Sequence, residues 1–461
     1  MKFDVIVIGS GPGGYVAAIR ASQLGKNVAI VEKAELGGIC LNWGCIPTKA
    51  LLKSAQVFEY LKHSSDYGIT TTDAKVDFDA VIKRSRGVAN NMSKGIEFLM
   101  KKNKITVIKG TAKLAGNKKV EVEAEGKKDI HEADHIILAT GARSRELPGI
   151  KLDGKKIVGY RDAMVLPEQP KSIVVIGSGA IGMEFAYFYN TLGTKVTVVE
   201  FMPRILPVED EEVSKTVEKI YKKAGMDILT DSSVESVDTS GNGCKVTVKT
   251  KTGNINIECD VVLSAAGIVT NLENLGLEAL GIKTEKGKVE VNDFYETNVK
   301  GVYAIGDIVH GPALAHVASA EAIICAEAIA GLKPHALNYN NIPGCTYCSP
   351  EIASVGYTEA QAKEKGYEIK VGKFPFSASG KASASGAKDG FVKVIFDAKY
   401  GEWLGCHIVG AGVTDLIAEA VVARNLETTG HEIIKSVHPH PTMSEAIMEA
   451  VAQAYGECIH L

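Results

Sequence analysis

The chain is sparse in cysteine, nearly balanced in charge and free of long apolar runs. Nine cysteines in 461 residues are too few for a disulfide-stapled scaffold, which packs its bridges densely into short secreted domains. A redox pair among them is then expected to be catalytic rather than structural. A formal net charge of −3 argues against a nucleic-acid or anionic-membrane partner. No stretch approaches the ~20 apolar residues that a membrane helix needs. No charged segment, apolar segment and cleavage site open the chain; residues 3–8 read at once as a strand. The expected location is therefore the cytoplasm, or an organelle for a mature form. Cys345 and Cys348 make a CxxC, but no second pair follows at zinc spacing, so no metal is expected. The pair reads as a strand entering a domain, with a secondary redox site as the alternative. What is left is ordinary soluble material, 45% hydrophobic and 23% charged, long enough for about three domains.

The glycines are organised. Residues 4–8 form an apolar strand, followed by Gly9-Ser10-Gly11-Pro12-Gly13-Gly14, a helical pattern and a second strand ending at Glu32. Such a βαβ unit turns tightly at Gly9 and Gly11, and brings backbone N–H groups to a pyrophosphate at the helix start, with Gly14 closing the motif. Glu32 is placed for a ribose hydroxyl. The pattern recurs at 171–200: strand, Gly177-Ser178-Gly179-Ala180-Ile181-Gly182, helix, strand, Glu200. Both copies keep all three glycines and the acid, so two dinucleotide sites are expected. Between them, 53–102 reads as long helices. Residues 105–108 and 120–125 read as strands of a small antiparallel layer, and 135–141 as a buried strand running through Thr140 and Gly141 into a turn. Later buried strands end at Gly267 and at Asp307, where an open α/β sheet meets its ligands. An alanine-rich helix follows over 315–329. From about residue 341 the pattern changes to short strands with polar alternation (351–355, 390–396, 403–409) and helices over 414–425 and 442–454. This is an α+β domain with no nucleotide motif, expected to form an interface.

Just after the first acid comes Gly37-Gly38-Ile39-Cys40-Leu41-Asn42-Trp43-Gly44-Cys45-Ile46-Pro47-Thr48-Lys49. Five residues of regular helix rise about 7.5 Å, more than the usual Cα separation across a disulfide. If Cys40 and Cys45 bond, the chain must bend between them, and Gly44 permits that. Pro47 suits the first turn of a helix. Cys45 would then sit at a helix N-terminus, where the dipole and Lys49 favour a thiolate. The plain alternative is two buried structural cysteines. Far along the chain stands His438-Pro439-His440-Pro441-Thr442-Met443-Ser444-Glu445. Glu445 either orients His440 as a base or forms a capping box with Thr442 where Pro441 and Thr442 open a helix. These residues alone do not decide; a dithiol site favours the base, since thiol exchange needs one near neutral pH.

With these motifs on the page, the chain resembles the pyridine nucleotide–disulfide oxidoreductase family. The resemblance rests on Gly9–Gly14, the run 37–49, Gly177–Gly182, Ala304-Ile305-Gly306-Asp307 and His440-Pro441-Thr442 with Glu445, and spans essentially the whole length. Within that family the chain is most similar to the dihydrolipoamide dehydrogenases. The resemblance implies two Rossmann-like folds in an α/β chain. FAD would bind over 1–147 and again over 271–341, NAD over 148–270, and a C-terminal α+β domain over 342–461 would make a homodimer. It implies oxidation of protein-bound dihydrolipoyl groups through a Cys40–Cys45 redox disulfide, with His440 of the partner subunit as base, Glu445 as its support and NAD⁺ as acceptor. Lys49, Thr140, Gly141, Asp307 and the Ala315-His316 turn would complete the FAD shell. Glu184 and Gly267 would lie at the nicotinamide site. Glu200 repels a 2′-phosphate, and no basic residue precedes Arg204, so NAD is expected over NADP. The implied partners are lipoyl-bearing proteins of 2-oxo acid dehydrogenase or glycine cleavage complexes, since no lipoyl domain is expected in this chain. Trp43 and Pro439 depart from the usual pattern. A glutathione-type reductase predicts NADPH, against Glu200. A non-catalytic scaffold fits poorly with intact Cys40, Cys45, His440 and Glu445. Cys458 lacks the adjacent cysteine of a mercuric reductase.

Overall fold

The computed structural model describes residues 1–116 and 118–461 and divides into two compact units. The first comprises Met1–Leu51, Asp79–Arg145 and Gly267–Leu337. Its elements begin with β1 (Lys2–Ile8), α1 (Pro12–Gln23), β2 (Val28–Glu32), α2 (Gly38–Trp43), α3 (Cys45–Lys62, which runs on into the second unit) and α4 (Phe78–Lys102). Then come β3 (Thr106–Lys109), β4 (Thr111–Leu114), β5 (Lys119–Ala124) and β6 (Lys127–Leu138). The sheet order is β3-β2-β1-β6-β5-β4, and the strand Val302–Ala304 also pairs with β6.

The apolar run of β1 is buried on both faces, as a central parallel strand requires; Val5, Ile6 and Val7 have no exposure. α1 presents Ala17, Ala18 and Ala21, also fully buried, to the core that takes Ala322, Cys325 and Ala326 of the helix Ala315–Ile329. Small residues on both helices let their backbones come close. β6 changes partner type along its length: residues 133–138 run parallel to β1, and residues 127–132 run antiparallel to β5. One expectation fails here. β3 is not part of the antiparallel layer; it pairs parallel with β2 at the sheet edge. Edge strands expose one face, so its alternating burial imitates an antiparallel strand in the sequence.

The second unit comprises Leu52–Phe78, Glu146–Ala266 and Asn338–Leu461. Its parallel sheet runs Asp227–Leu229, Lys195–Val199, Ser172–Ile176, Val261–Ser264, Ile157–Val158. A three-stranded antiparallel layer, 233–259, packs its apolar face (Val246, Val248) against Val174, Ile176 and Val262. The C-terminal part builds a five-stranded antiparallel sheet in the order Gly344–Thr346, Glu351–Gly356, Trp403–Gly410, Phe391–Asp397, Ile369–Pro375. Its two central strands are buried at every position, which corrects the expected polar alternation. The helices Val413–Asn425 and Glu445–Ala454 join the core on one face, and Ala362 with Tyr357 and Tyr367 covers Ile395 and Leu404 on the other. Lys393 and His407, polar residues of these strands, are inside. Among the described residues no helix is long and apolar enough to cross a membrane.

Candidate active site

The first glycine motif is fixed by steric necessity at two positions and opens at a third. Gly9 has φ +98°, and a Cβ there would lie 2.3 Å from the carbonyl oxygen of Ala139. A Cβ on Gly14 would lie 1.9 Å from Gly9 O. Gly11 meets nothing within 4 Å, so the turn is closed behind and open in front of α1. Glu32 Oε2 accepts the Ser10 N–H at 2.9 Å and its hydroxyl at 2.7 Å, and Oε1 accepts Ala34 N–H at 2.9 Å.

The second motif repeats this arrangement. Gly177 has φ +95°, a Cβ on Gly182 would lie 2.0 Å from Gly177 O, and Gly179 again meets nothing within 4 Å. Glu200 Oε2 accepts the Ser178 N–H (2.8 Å) and hydroxyl (2.6 Å), and Oε1 accepts Met202 N–H (2.7 Å). In each copy the serine ties the glycine turn to the acid at the end of the next strand. Sequence reasoning passed over Ser10 and Ser178, although the repeated Gly-Ser-Gly was the available signal.

The remaining first-unit candidates gather at the ends of parallel strands. The Thr140 hydroxyl donates to Asn271 O (2.7 Å), and Asn271 N–H donates to Gly141 O (2.9 Å). Gly141 has φ +67° and opens onto space. Asp307 lies in a short turn after the strand Val302–Ala304, and burial pushes its carboxyl up. Gly306 N–H is held at 2.6 Å by the buried Glu321, a residue the sequence did not single out. Ala315 begins its helix, followed by His316. Gly267 belongs to this unit, with φ +99° and its carbonyl accepting Arg145 N–H at 3.0 Å. In the second unit Glu184 is buried, and its Oε1 accepts Tyr347 N–H at 3.1 Å.

The dithiol turn breaks where the geometric argument requires. α2 ends at Trp43, Gly44 takes φ −143°, ψ −116°, and α3 begins at Cys45. Thr48 N–H makes an early α3 bond to Gly44 O at 3.0 Å, and Pro47 occupies the first turn. A Cβ on Gly44 would press on Ile39 O at 3.1 Å. The break brings the two sulfurs together: the Cys40 thiol is hydrogen-bonded to Cys45, side chain and backbone. The bond to Cys45 and then burial push the Cys40 thiol well above its ordinary value, with Lys49 pulling the other way.

His440 lies in the second unit. Its Nδ1 is 2.8 Å from Glu445 Oε1, and Glu445 Oε2 accepts Thr442 N–H at 2.7 Å. The helix begins at Glu445, not at Thr442, and its N-cap is Ser444. This corrects the expectation that Pro441 and Thr442 open it. The Thr442 hydroxyl donates to Pro439 O instead of serving as a cap. Only the carboxylate half of the capping box forms, Glu445 Oε2 with Thr442 N–H, and the other carboxylate oxygen faces the imidazole. Burial raises the Glu445 carboxyl, but Thr442 N–H and His440 outweigh it and hold it below the ordinary range. His438 has its own carboxylate, Glu419, at 2.8 Å, a pair that sequence spacing gave no reason to expect.

A motif model described as pyridine nucleotide-disulphide oxidoreductase matches residues 3–322, and one described as the dimerisation domain of that group matches residues 342–451. The chain belongs to the pyridine nucleotide–disulphide oxidoreductase family. Full-length relatives include the dihydrolipoyl dehydrogenase of Zymomonas mobilis, 51% identical and covering 99% of both chains. That of Rhizobium etli is also 51% identical, over 100% of this chain and 99% of its own. The crystal structure of LpdA from Mycobacterium tuberculosis superimposes with a TM-score of 0.91 at 27% identity, covering 97% of this chain and 98% of that one. Members of the family are FAD- and NAD-dependent oxidoreductases, and two glycine cradles with matched acids suit two dinucleotides.

Proposed function

We propose that the protein is a dihydrolipoyl dehydrogenase that oxidises lipoyl-bound dithiols with NAD⁺. The observation that carries the reading is the meeting of the Cys40 and Cys45 thiols across the Gly44 break, one of them at a helix start. The resemblance to relatives of that name supports it over the whole length.

FAD fits the first cradle. Gly11 and Gly141 leave space that no side chain fills, the first-turn amides of α1 suit a pyrophosphate, and Glu32, Asp307, Lys49, Thr140 and the Ala315-His316 turn would hold the rest. NAD fits the second cradle, at Gly177, Gly179, Gly182 and Glu200, with Glu184 as the acid toward the nicotinamide. When bound, the flavin supplies the two-electron relay between the dithiol and NAD⁺.

The chain's own residues handle sulfur and protons. In the oxidised enzyme a dihydrolipoyl thiol gives its proton to Nε2 of His440 of the partner subunit, as the family resemblance implies, since Nδ1 is committed to Glu445. The thiolate attacks Cys40, forming a mixed disulfide and releasing Cys45 as a thiolate. The second substrate thiol then displaces Cys40, and lipoyl disulfide leaves. Cys45 is stabilised at the α3 N-terminus, while Cys40 takes up a proton, in keeping with its raised value.

The same reading assigns a homodimer to the C-terminal domain. Val422, Leu426 and Val437 are exposed there, at 57%, 70% and 98%, on a groove reaching His438 and Pro439. Lipoyl domains of 2-oxo acid dehydrogenase or glycine cleavage complexes are the partners the chemistry fits, and the cytoplasm the expected setting. The test is a steady-state comparison on the purified, flavin-loaded protein. NAD⁺ reduction by dihydrolipoamide should exceed glutathione reduction by NADPH by at least 100-fold, and Cys45→Ser should abolish it while retaining FAD. Turnover surviving in Cys45→Ser, or preference for NADPH and glutathione, removes the proposal.

A further inference from the structure

α4 crosses both sides of the break that joins the two cysteines. Its buried stripe near the dithiol turn is small: Ser85 and Ala89, both with no exposure. An arginine flanks that stripe on either side. Arg86 Nη1 donates to Asn42 O at 2.5 Å in the last turn of α2, and its guanidinium lies 3.9 Å from the centroid of the Trp43 ring. Arg84 Nη1 donates to Ala50 O at 2.7 Å in α3. Two turns from Arg86, on the same face, Ser93 Oγ donates to Leu36 O at 2.9 Å at the entry to α2. Asn42 is itself buried, and its amide bridges Leu36 O (2.9 Å) and Gly38 O (3.0 Å). One helix therefore grips the chain before Cys40, between Cys40 and Cys45, and after Cys45.

We propose that α4 is a splint for the redox turn, and that Arg86 stacked on Trp43 is the positioning pair that holds Cys40 and Cys45 at bonding distance and sets the stability of their disulfide. This rests on the reading of Cys40 and Cys45 as the redox couple. Gly44 alone cannot hold the geometry, because a glycine hinge is the freest joint a chain has. Without a brace, the dithiol form would sample separated sulfurs and the effective concentration of one thiol at the other would fall. Disulfide closure would weaken accordingly. Trp43, which departs from the family pattern, offers the large flat face on which a guanidinium stacks; a lysine ammonium lacks both that face and the fixed fork of donors. The cation that pulls the Cys40 thiol down is Lys49, whereas the contacts of Arg86 are with the backbone and ring of the turn.

The test equilibrates the flavin-loaded enzyme with defined mixtures of dihydrolipoamide and lipoamide. Two electrons and two protons pass from the substrate dithiol to the Cys40–Cys45 disulfide, and the reverse. Acid quenching, alkylation and mass spectrometry of the peptide then give the disulfide fraction without reference to turnover. Trp43→Val, Arg86→Met and Arg86→Lys should each weaken the disulfide about tenfold, a rise in potential of about 30 mV for a two-electron couple. Trp43→Phe, which keeps a stacking face, should stay within twofold of the parent. Should Arg86→Met not fold, the Trp43→Val and Trp43→Phe comparison carries the same test. Parent-like disulfide fractions in Trp43→Val and in the arginine variants overturn the splint. Full rescue by Arg86→Lys overturns it too, since charge would then be the agent. A parent enzyme in which Cys40 and Cys45 never oxidise together overturns the underlying functional reading instead.

Discussion

The Nδ1 of His440 lies 2.8 Å from Oε1 of Glu445, five residues on, because the chain turns back before the helix that Glu445 starts. One carboxylate thereby fixes the imidazole tautomer and satisfies the Thr442 amide, so its loss disturbs both orientation and local backbone. His440→Gln should lower kcat for dihydrolipoamide oxidation by roughly 10²–10⁴-fold, the usual weight of a general base. Glu445→Gln keeps the shape and loses the charge; a fall of about tenfold is expected, smaller than for His440→Gln. The pH direction follows from the Glu445 carboxyl, which is held low in the folded protein. Its contact with His440 is present above the ordinary carboxylate range and lost as pH falls through the depressed value. The acid side of the kcat/KM profile should therefore change in Glu445→Gln and the alkaline side should not. A profile unchanged at both ends would return Glu445 to a purely structural role.

Two glycines three positions apart should fail for different reasons. A methyl on Gly14 would sit 1.9 Å from Gly9 O, a backbone atom that cannot yield, whereas one on Gly11 meets no protein atom within 4 Å. Gly14→Ala should therefore lower the melting temperature and the yield of folded protein. Gly11→Ala should fold normally and bind FAD weakly, since the methyl would project where a pyrophosphate approaches. Flavin content and melting temperature, read together, separate the two outcomes. A Gly11→Ala protein with full flavin would mean that the cofactor does not pass over this turn.

How much of this was legible in the sequence depended on whether the signal was local. The helix over 315–329 coincides with the expected range, because an apolar run bounded by glycine or proline reports its own ends. The bend at Gly44 followed from helix rise once Cys40 and Cys45 were taken as a bonded pair. What sequence could not supply were pairings set by distant chain. β3 joins the parallel sheet because α4 returns it beside β2, and nothing in residues 106–109 records that. Lys393 and His407 fall in strands expected to alternate polar and apolar, yet Lys393 is held by Asp210 and Glu359 and His407 by Tyr357 O, all from much earlier in the chain. Arg86 reaches Asn42 across 44 residues, a contact that only the fold creates. The capping-box reading of Thr442 holds only for the Glu445 carboxylate, because Ser444, not Thr442, stands at the helix start.

Coenzyme choice should turn on the two residues after Glu200. Glu200 is buried and fully engaged with Ser178 and Met202, so replacing it would damage the turn as well as the specificity. Phe201 and Met202 are exposed, at 75% and 44%, and tolerate exchange. Phe201→Arg should raise kcat/KM for NADP⁺ by about tenfold, the worth of roughly 1.4 kcal/mol, by offering a cation to the 2′-phosphate, while NAD⁺ changes less than threefold. Steady-state rates with both coenzymes check this. No gain with NADP⁺ would place the adenosine ribose away from the end of this strand.

Lys393 is buried between two carboxylates. Its ammonium lies 3.0 Å from Asp210 and 2.7 Å from Glu359, and Asp210 also caps the helix Glu211–Lys223 through Glu212 N–H. Lys393→Met strands these carboxylates; breaking such a buried pair from one side costs on the order of 3–5 kcal/mol. Next to them Glu209 is buried without a countercharge of its own, and burial pushes its carboxyl up to about 7. A raised acid binds more protons folded than unfolded between its ordinary value, near 4.5, and about 7. Stability therefore declines as pH rises across that window and the penalty persists above it. Glu209→Gln, which keeps the bond toward Ser354, removes the penalty. Its melting temperature should exceed the parent's at pH 8, corresponding to about 2–3 kcal/mol, and the difference should vanish near pH 4.5. Lys393→Met should show the opposite, a melting temperature below the parent's that is worst at alkaline pH, where all the neighbouring carboxyls are charged. Parallel melting curves for Glu209→Gln and parent from pH 5 to 8 would show that Glu209 is ionised in the folded protein throughout.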